Sequence, residues 1–170
     1  ANGVTTICVD FDSGLVVRDL TLNSGITNAS NYTFAWFETG DLTTVLGTGS
    51  TYTVNTASAT PATPRNYVVQ VTNNTVGSIL CDTTSQAFSV IQSGQAFIPA
   101  GTIGYVISNG FSELQTITVN IVGYGDYQYS LDDGPRQDSA IFVNVSLGPH
   151  TIHVWDNAAG VAYSCEELII

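Results

Sequence analysis

The side chains able to do chemistry in this chain are few: two histidines, three cysteines and three arginines, with no lysine, set among fourteen aspartates and glutamates. His150 and His153 stand three positions apart. On one strand they point to opposite faces and cannot chelate a metal together, so both read as surface residues. No Gly-x-Ser-x-Gly or His-Glu-x-x-His pattern occurs, and no base is visibly paired with a nucleophile. Cys165 would need a basic partner and an electropositive setting to act as a nucleophile. An acidic domain supplies neither, and Cys165 reads as a bridge to a neighbouring module or a buried thiol. The expectation is a non-catalytic protein.

Calcium is the metal these residues could serve. Asp10-Phe-Asp12 with Gly14, the Asp132-Asp133-Gly134 turn and Asp156-Asn157 carry hard oxygen donors, as Ca²⁺ requires. None follows the twelve-residue EF-hand pattern. The competing reading is that Asp, Asn and Gly make the turns hairpins need. Among the Ca²⁺ candidates Asp10 and Asp12 rank first, then Asp132 and Asp133. No other cofactor is indicated.

Charge narrows the partners. The formal net charge is -11, and only 10% of residues are charged, against 44% hydrophobic. Such a surface repels phosphate backbones and anionic lipid, so neither nucleic-acid binding nor membrane insertion is expected. No apolar run nears the roughly 20 residues that span a bilayer. The N-terminus has no basic start of a signal peptide, which reads as an excised piece of a longer protein. A surface without lysine and a chain with three cysteines suit an oxidising, extracellular setting.

The elements that must position these residues are strands. In Asn31–Phe37 the rings of Tyr32, Phe34 and Trp36 alternate with Thr33 and Ala35, the period of a strand with one aromatic face. Tyr67, Val69 and Val71 repeat the pattern, and Leu15–Leu22, Ser50–Val54 and Ile79–Ile91 are further strand-like stretches. Later come Ile117, Val119 and Ile121, then Tyr127, Tyr129 and Leu131, then Ile141, Val143 and Val145, then Ile152 and Val154. Thr falls from eighteen in the first hundred residues to four in the last seventy. These patterns predict an all-β protein of two tandem immunoglobulin-like β-sandwiches, residues 1–92 and 93–170. In the first unit Trp36 and Tyr67 occupy the places of the immunoglobulin core Trp and tyrosine corner. The usual disulfide is missing. Cys8 lies on the first strand and Cys81 on the last, which run side by side in such sandwiches. A Cys8–Cys81 bridge is the expectation, two buried free thiols the alternative.

Asp126-Tyr-Gln-Tyr-Ser-Leu-Asp-Asp-Gly134, Gln137–Val145, Leu147-Gly-Pro-His-Thr-Ile-His-Val-Trp-Asp-Asn157 and Cys165 resemble the SprB-type repeat. Ile7-Cys-Val-Asp10, Tyr32–Trp36, Ser50–Thr53 and Asn66–Val71 are similar to the immunoglobulin-like unit that often precedes it. Two departures stand out: Pro149-His150 replaces a small-aromatic pair, and Tyr163-Ser164 precedes Cys165 where the repeat has Asn-Gly. The resemblance implies stalk domains of a very large adhesin of gliding Bacteroidetes, exported by the type IX secretion system to the outer-membrane surface. Its partners would be neighbouring repeats of the same chain and polysaccharide or a solid substratum. Asp138-Ser-Ala140 and Asp82-Thr-Thr84 are similar to the Asp-Ser/Thr-apolar O-glycan acceptor of that phylum, which marks Ser139 and Thr83. The competing function is a carbohydrate-binding module of a secreted polysaccharide-degrading enzyme, with Tyr105, Phe111, Tyr124, Tyr127 and Trp155 as its candidate rings.

Overall fold

A computed structural model describes residues 5–57, 63–75, 82–157 and 165–170. The described chain is all-β. In order, its strands are β1 Thr5–Val9, β2 Val16–Arg18, β3 Leu20–Asn23, β4 Tyr32–Glu38, β5 Thr51–Val54, β6 Arg65–Asn73, β7 Asp82–Thr84 and β8 Phe88–Ser93. They continue with β9 Tyr105–Ser108, β10 Leu114–Val119, β11 Tyr127–Leu131, β12 Ile141–Ser146, β13 Ile152–Asp156 and β14 Leu168–Ile169.

β2, β1, β8, β6 and β4 form a sheet in that order, with β7 also paired to β6. β3 and β5 form a two-stranded sheet. Leu22 and Val54 from the small sheet join Ile7, Phe34, Trp36, Tyr67, Val69 and Val90 from the large one in a single buried cluster, so the pair is a sandwich. Trp36 lies at the centre, fully buried, its indole N–H donating to the Gly49 carbonyl at 2.8 Å. The Tyr52 and Phe88 rings lie 6.0 and 5.5 Å from it. A buried indole needs such an acceptor for its one polar atom. The opposite face of the sheet is also covered in places, since Phe37 and Val68, paired directly across β4 and β6, are both buried. Leu15–Leu22 is not one strand: the chain breaks at Asp19, and β2 and β3 go to different sheets.

β12, β10 and β9 form a third sheet and β11, β13 and β14 a fourth. Ile117, Val119, Phe142 and Val145 face Tyr129, Ile152 and Val154 across a second cluster that shares no buried residue with the first. On β12 the structure differs from the alternation Ile141, Val143, Val145. Phe142 and Val145 are buried, whereas Ile141 and Val143 are 49% and 65% exposed. Asn144 adopts the left-handed conformation, φ 58°, and the pairing with β10 shifts register between Gln115 and Ile117. The extra residue reverses which side chains point inward.

The disulfide also differs from expectation. β1 and the last strand of the first unit, β8, do run side by side, and parallel, with Cys8 opposite Ser93. Cys8 is nevertheless bonded to Cys165, 157 positions away in sequence, with Cα atoms 5.7 Å apart, and not to Cys81. β7, which Cys81 precedes in sequence, lies along the same edge of β6 as β8 does. Asp82 is therefore about ten residue positions along the sheet, roughly 33 Å, from the end where Cys8 sits, whereas a bridge spans less than about 7 Å between Cα atoms. Cys81 itself lies outside the described residues.

Candidate functional site

The densest convergence of unusual groups is where the chain leaves β8 and begins the second set of sheets. Gly94 follows β8 directly. A Cβ on Gly94 would overlap the Val9 carbonyl oxygen, so only glycine lets this backbone pass so near β1. The Gly94 carbonyl accepts a hydrogen bond from the Tyr127 hydroxyl at 3.0 Å, and that hydroxyl accepts one from the Gly125 N–H at 3.0 Å. Cβ atoms at Gly123 or Gly125 would overlap the Tyr127 ring or hydroxyl, which explains the Gly-Tyr-Gly run there. Burial pushes the Tyr127 phenol up to about 12, keeping it a donor across the neutral range.

Around this hinge the chain's two ends are tied together. Cys8 bonds Cys165, and the Gln95 side-chain amide donates to the Glu167 carbonyl at 2.8 Å. The Phe11 ring lies 5.0 Å from Tyr124 and 6.1 Å from Phe97. Phe97 is held by paired backbone hydrogen bonds with Val122. Tyr124 packs against the first cluster. The crevice between, about 230 Å³, is bordered by Phe11, Val17 and Arg18 on one side and Phe97, Cys165 and Glu166 on the other. It is below the roughly 300 Å³ at which small-molecule pockets begin.

Of the Ca²⁺ candidates Asp10 borders this crevice, whereas Asp12, Asp132 and Asp133 do not, and Asp10 and Asp132 each close a turn. Asp10 Oδ1 accepts from the Ser13 N–H and hydroxyl at 2.7 and 2.6 Å. Those bonds, the hydroxyl's first, lower its pKa. Gly14, at φ 69°, completes that turn. Asp12 is exposed. Asp132 has φ 51°. Its Oδ1 accepts from Thr151 N–H and its Oδ2 pairs with His150 Nδ1, both at 2.9 Å. The Thr151 bond, then His150, holds this carboxyl below the usual range. Asp133 is exposed and borders a shallow groove with His153, Trp155 and Glu167. Among the described residues no three of His, Cys, Asp and Glu converge on one point.

The histidines are not idle surface residues. His150 Nε2 faces the Ser146 carbonyl at 3.0 Å. Both ring nitrogens thus face acceptor oxygens, which favours the doubly protonated ring, and its pKa is raised, chiefly by Asp132. His153 Nδ1 pairs with Glu167 at 2.6 Å and its ring stacks on Trp155. Sequence spacing carried no sign of either partner. It also missed the fork of Arg65 on Glu38, with contacts of 3.1 and 2.7 Å.

The candidate rings are scattered. Phe111 is fully exposed, Tyr124 and Tyr127 are used in the hinge, and Trp155 is covered on one side by the Arg136 guanidinium, 4.0 Å from the ring centre. Thr83 on β7 and Ser139 before β12 are both exposed. Neither a protein-family model nor a curated protein matches the chain.

Proposed function

We propose that the chain is a non-catalytic pair of stalk domains from a large cell-surface adhesin, of the kind its resemblance to the SprB-type repeat implies, working in gliding or surface attachment. The observation that carries this reading is the hinge. A chain joined near its two ends by a disulfide, beside a glycine contact and a partly buried tyrosine, does not lengthen under load, and resisting extension is the task of a stalk domain. A surface built from Thr, Ser and Asn with few charges is consistent with exposure to polysaccharide or a substratum. Ser139 and Thr83 would carry O-linked sugar, and the location would be extracellular. The competing carbohydrate-binding module needs a row of open rings on one face, and the scattering of Tyr105, Phe111, Tyr124, Tyr127 and Trp155 favours the stalk.

The test is an in-frame deletion of this segment in the producing organism, scored for surface attachment, spreading and bulk polysaccharide hydrolysis. Loss of attachment or spreading with hydrolysis intact is the expected result. Loss of hydrolysis with attachment intact would overturn the reading in favour of the binding module.

A further inference from the structure

The Cys8–Cys165 bond changes the covalent path through the molecule. Tension that enters before Cys8 and leaves after Cys165 need not pass through the 157 positions between them; the shortest covalent route is one disulfide. Both buried clusters, Ile7 excepted, are drawn from residues inside that loop. From this connectivity we infer that the disulfide is a mechanical bypass: while it is intact, a pull along the chain cannot unravel either sandwich.

What remains exposed to load is small. On the N-terminal side it is Thr5–Ile7, which pair with Val90–Gln92 of β8. On the C-terminal side it is Glu166 to Ile170, including β14, which pairs with His153 and Val154. The hinge contacts sit beside the bridge, so load crosses from β1 to the segment after Cys165 without being borne by the hydrogen bonds of either core. Without the bond the same tension would run through every strand in turn, and antiparallel ladders would open one after another. The inference depends only on the covalent path and stands or falls apart from the adhesin reading.

Single-molecule force spectroscopy tests it, with handles at Ala1 and Ile170 and marker domains on either side. The oxidised chain should extend by no more than the seven residues before Cys8 and five after Cys165, at most about 40 Å. The same molecules pulled in a phosphine reductant should release about 500 Å, in one step or several. A Cys81→Ser variant should behave as the parent does in both conditions, because its remaining two cysteines are the bridged pair. Release of about 500 Å from the oxidised chain would overturn the inference. So would release of about 300 Å, the span from Cys81 to Cys165, which would place the bridge at Cys8–Cys81. A failed deletion phenotype in cells would leave these lengths unchanged, so the two tests separate.

Discussion

Single residues hold this molecule together at turns, and their chemistry sets its response to pH. The Asp132–His150 pair joins the end of β11 to the start of β13. A lowered Asp132 pKa contributes stability that is present above the ordinary carboxylate value, about 3.9, and lost as pH falls. A raised His150 pKa contributes stability that is complete below about 6.5 and lost as pH rises through the folded value. The pair is therefore most stabilising between about pH 4 and 6.5. Urea midpoints should fall between pH 5.5 and 8.5 in the parent, and His150→Gln should remove part of that fall; an unchanged slope would mean the pair is not coupled to folding. Tyr127→Phe leaves the Gly94 carbonyl and Gly125 N–H without their partner and should cost about 1–3 kcal/mol, read by denaturant titration. For the aspartates proposed as Ca²⁺ ligands, the bonds already made by Asp10 and Asp132 lead us to expect equal melting midpoints in Ca²⁺, Mg²⁺ and EDTA. A rise with Ca²⁺ alone would make Asp10, Asp12, Asp132 and Asp133 ligands again. Little of this was legible in the sequence, because His150 meets an aspartate eighteen positions earlier and strand alternation says nothing about which hairpin end it meets.

Among the elements, legibility followed regularity. β4 could be read directly, because Phe34 and Trp36 alternate without interruption and nothing in the strand bends it. β12 could not: Asn144 in the left-handed region inserts a residue, and Ile141 and Val143, apolar and in perfect alternation, end on the outer face. A period-two pattern carries no mark of a bulge; the one local hint is Asn144 itself, a residue type depleted in strands and tolerant of the left-handed region. The consequence is measurable. Phe142→Ala should cost about 3–5 kcal/mol as a buried aromatic truncation, whereas Val143→Thr should stay within about 0.5 kcal/mol. The reverse ranking would restore the plain alternation. The stretch Leu15–Leu22 misled for a different reason: apolar residues stand on both sides of Arg18-Asp19, and the chain changes sheets at Asp19. In Gly94→Ala the added methyl meets the Val9 carbonyl, a backbone atom that cannot swing aside. We expect a loss of about 1–3 kcal/mol, seen as a lower melting temperature.

For the molecule as a whole, the all-β class followed from composition and patterning, and the covalent frame did not. Cys8 and Cys165 are brought together by the close passage at Gly94 and the Tyr127 contact, and no local signal in a sequence reports a meeting across 157 positions. The placement of Cys8 on the first strand was legible; its partner depended on where the second set of sheets folds back. In the loop-entropy account a bridge of this span restricts the unfolded chain by about 5 kcal/mol. The Cys8→Ser/Cys165→Ser variant should therefore melt roughly 10–20 °C lower. The mechanical bypass rests on the pairing itself, and mass spectrometry reads that most directly. The unreduced protein is unfolded, its free thiols are alkylated, and it is digested at acidic residues. The peptide containing Cys8 should be found linked to the one containing Cys165, with the Cys81 peptide alkylated; a Cys8–Cys81 linked peptide, or three alkylated cysteines, would contradict the account.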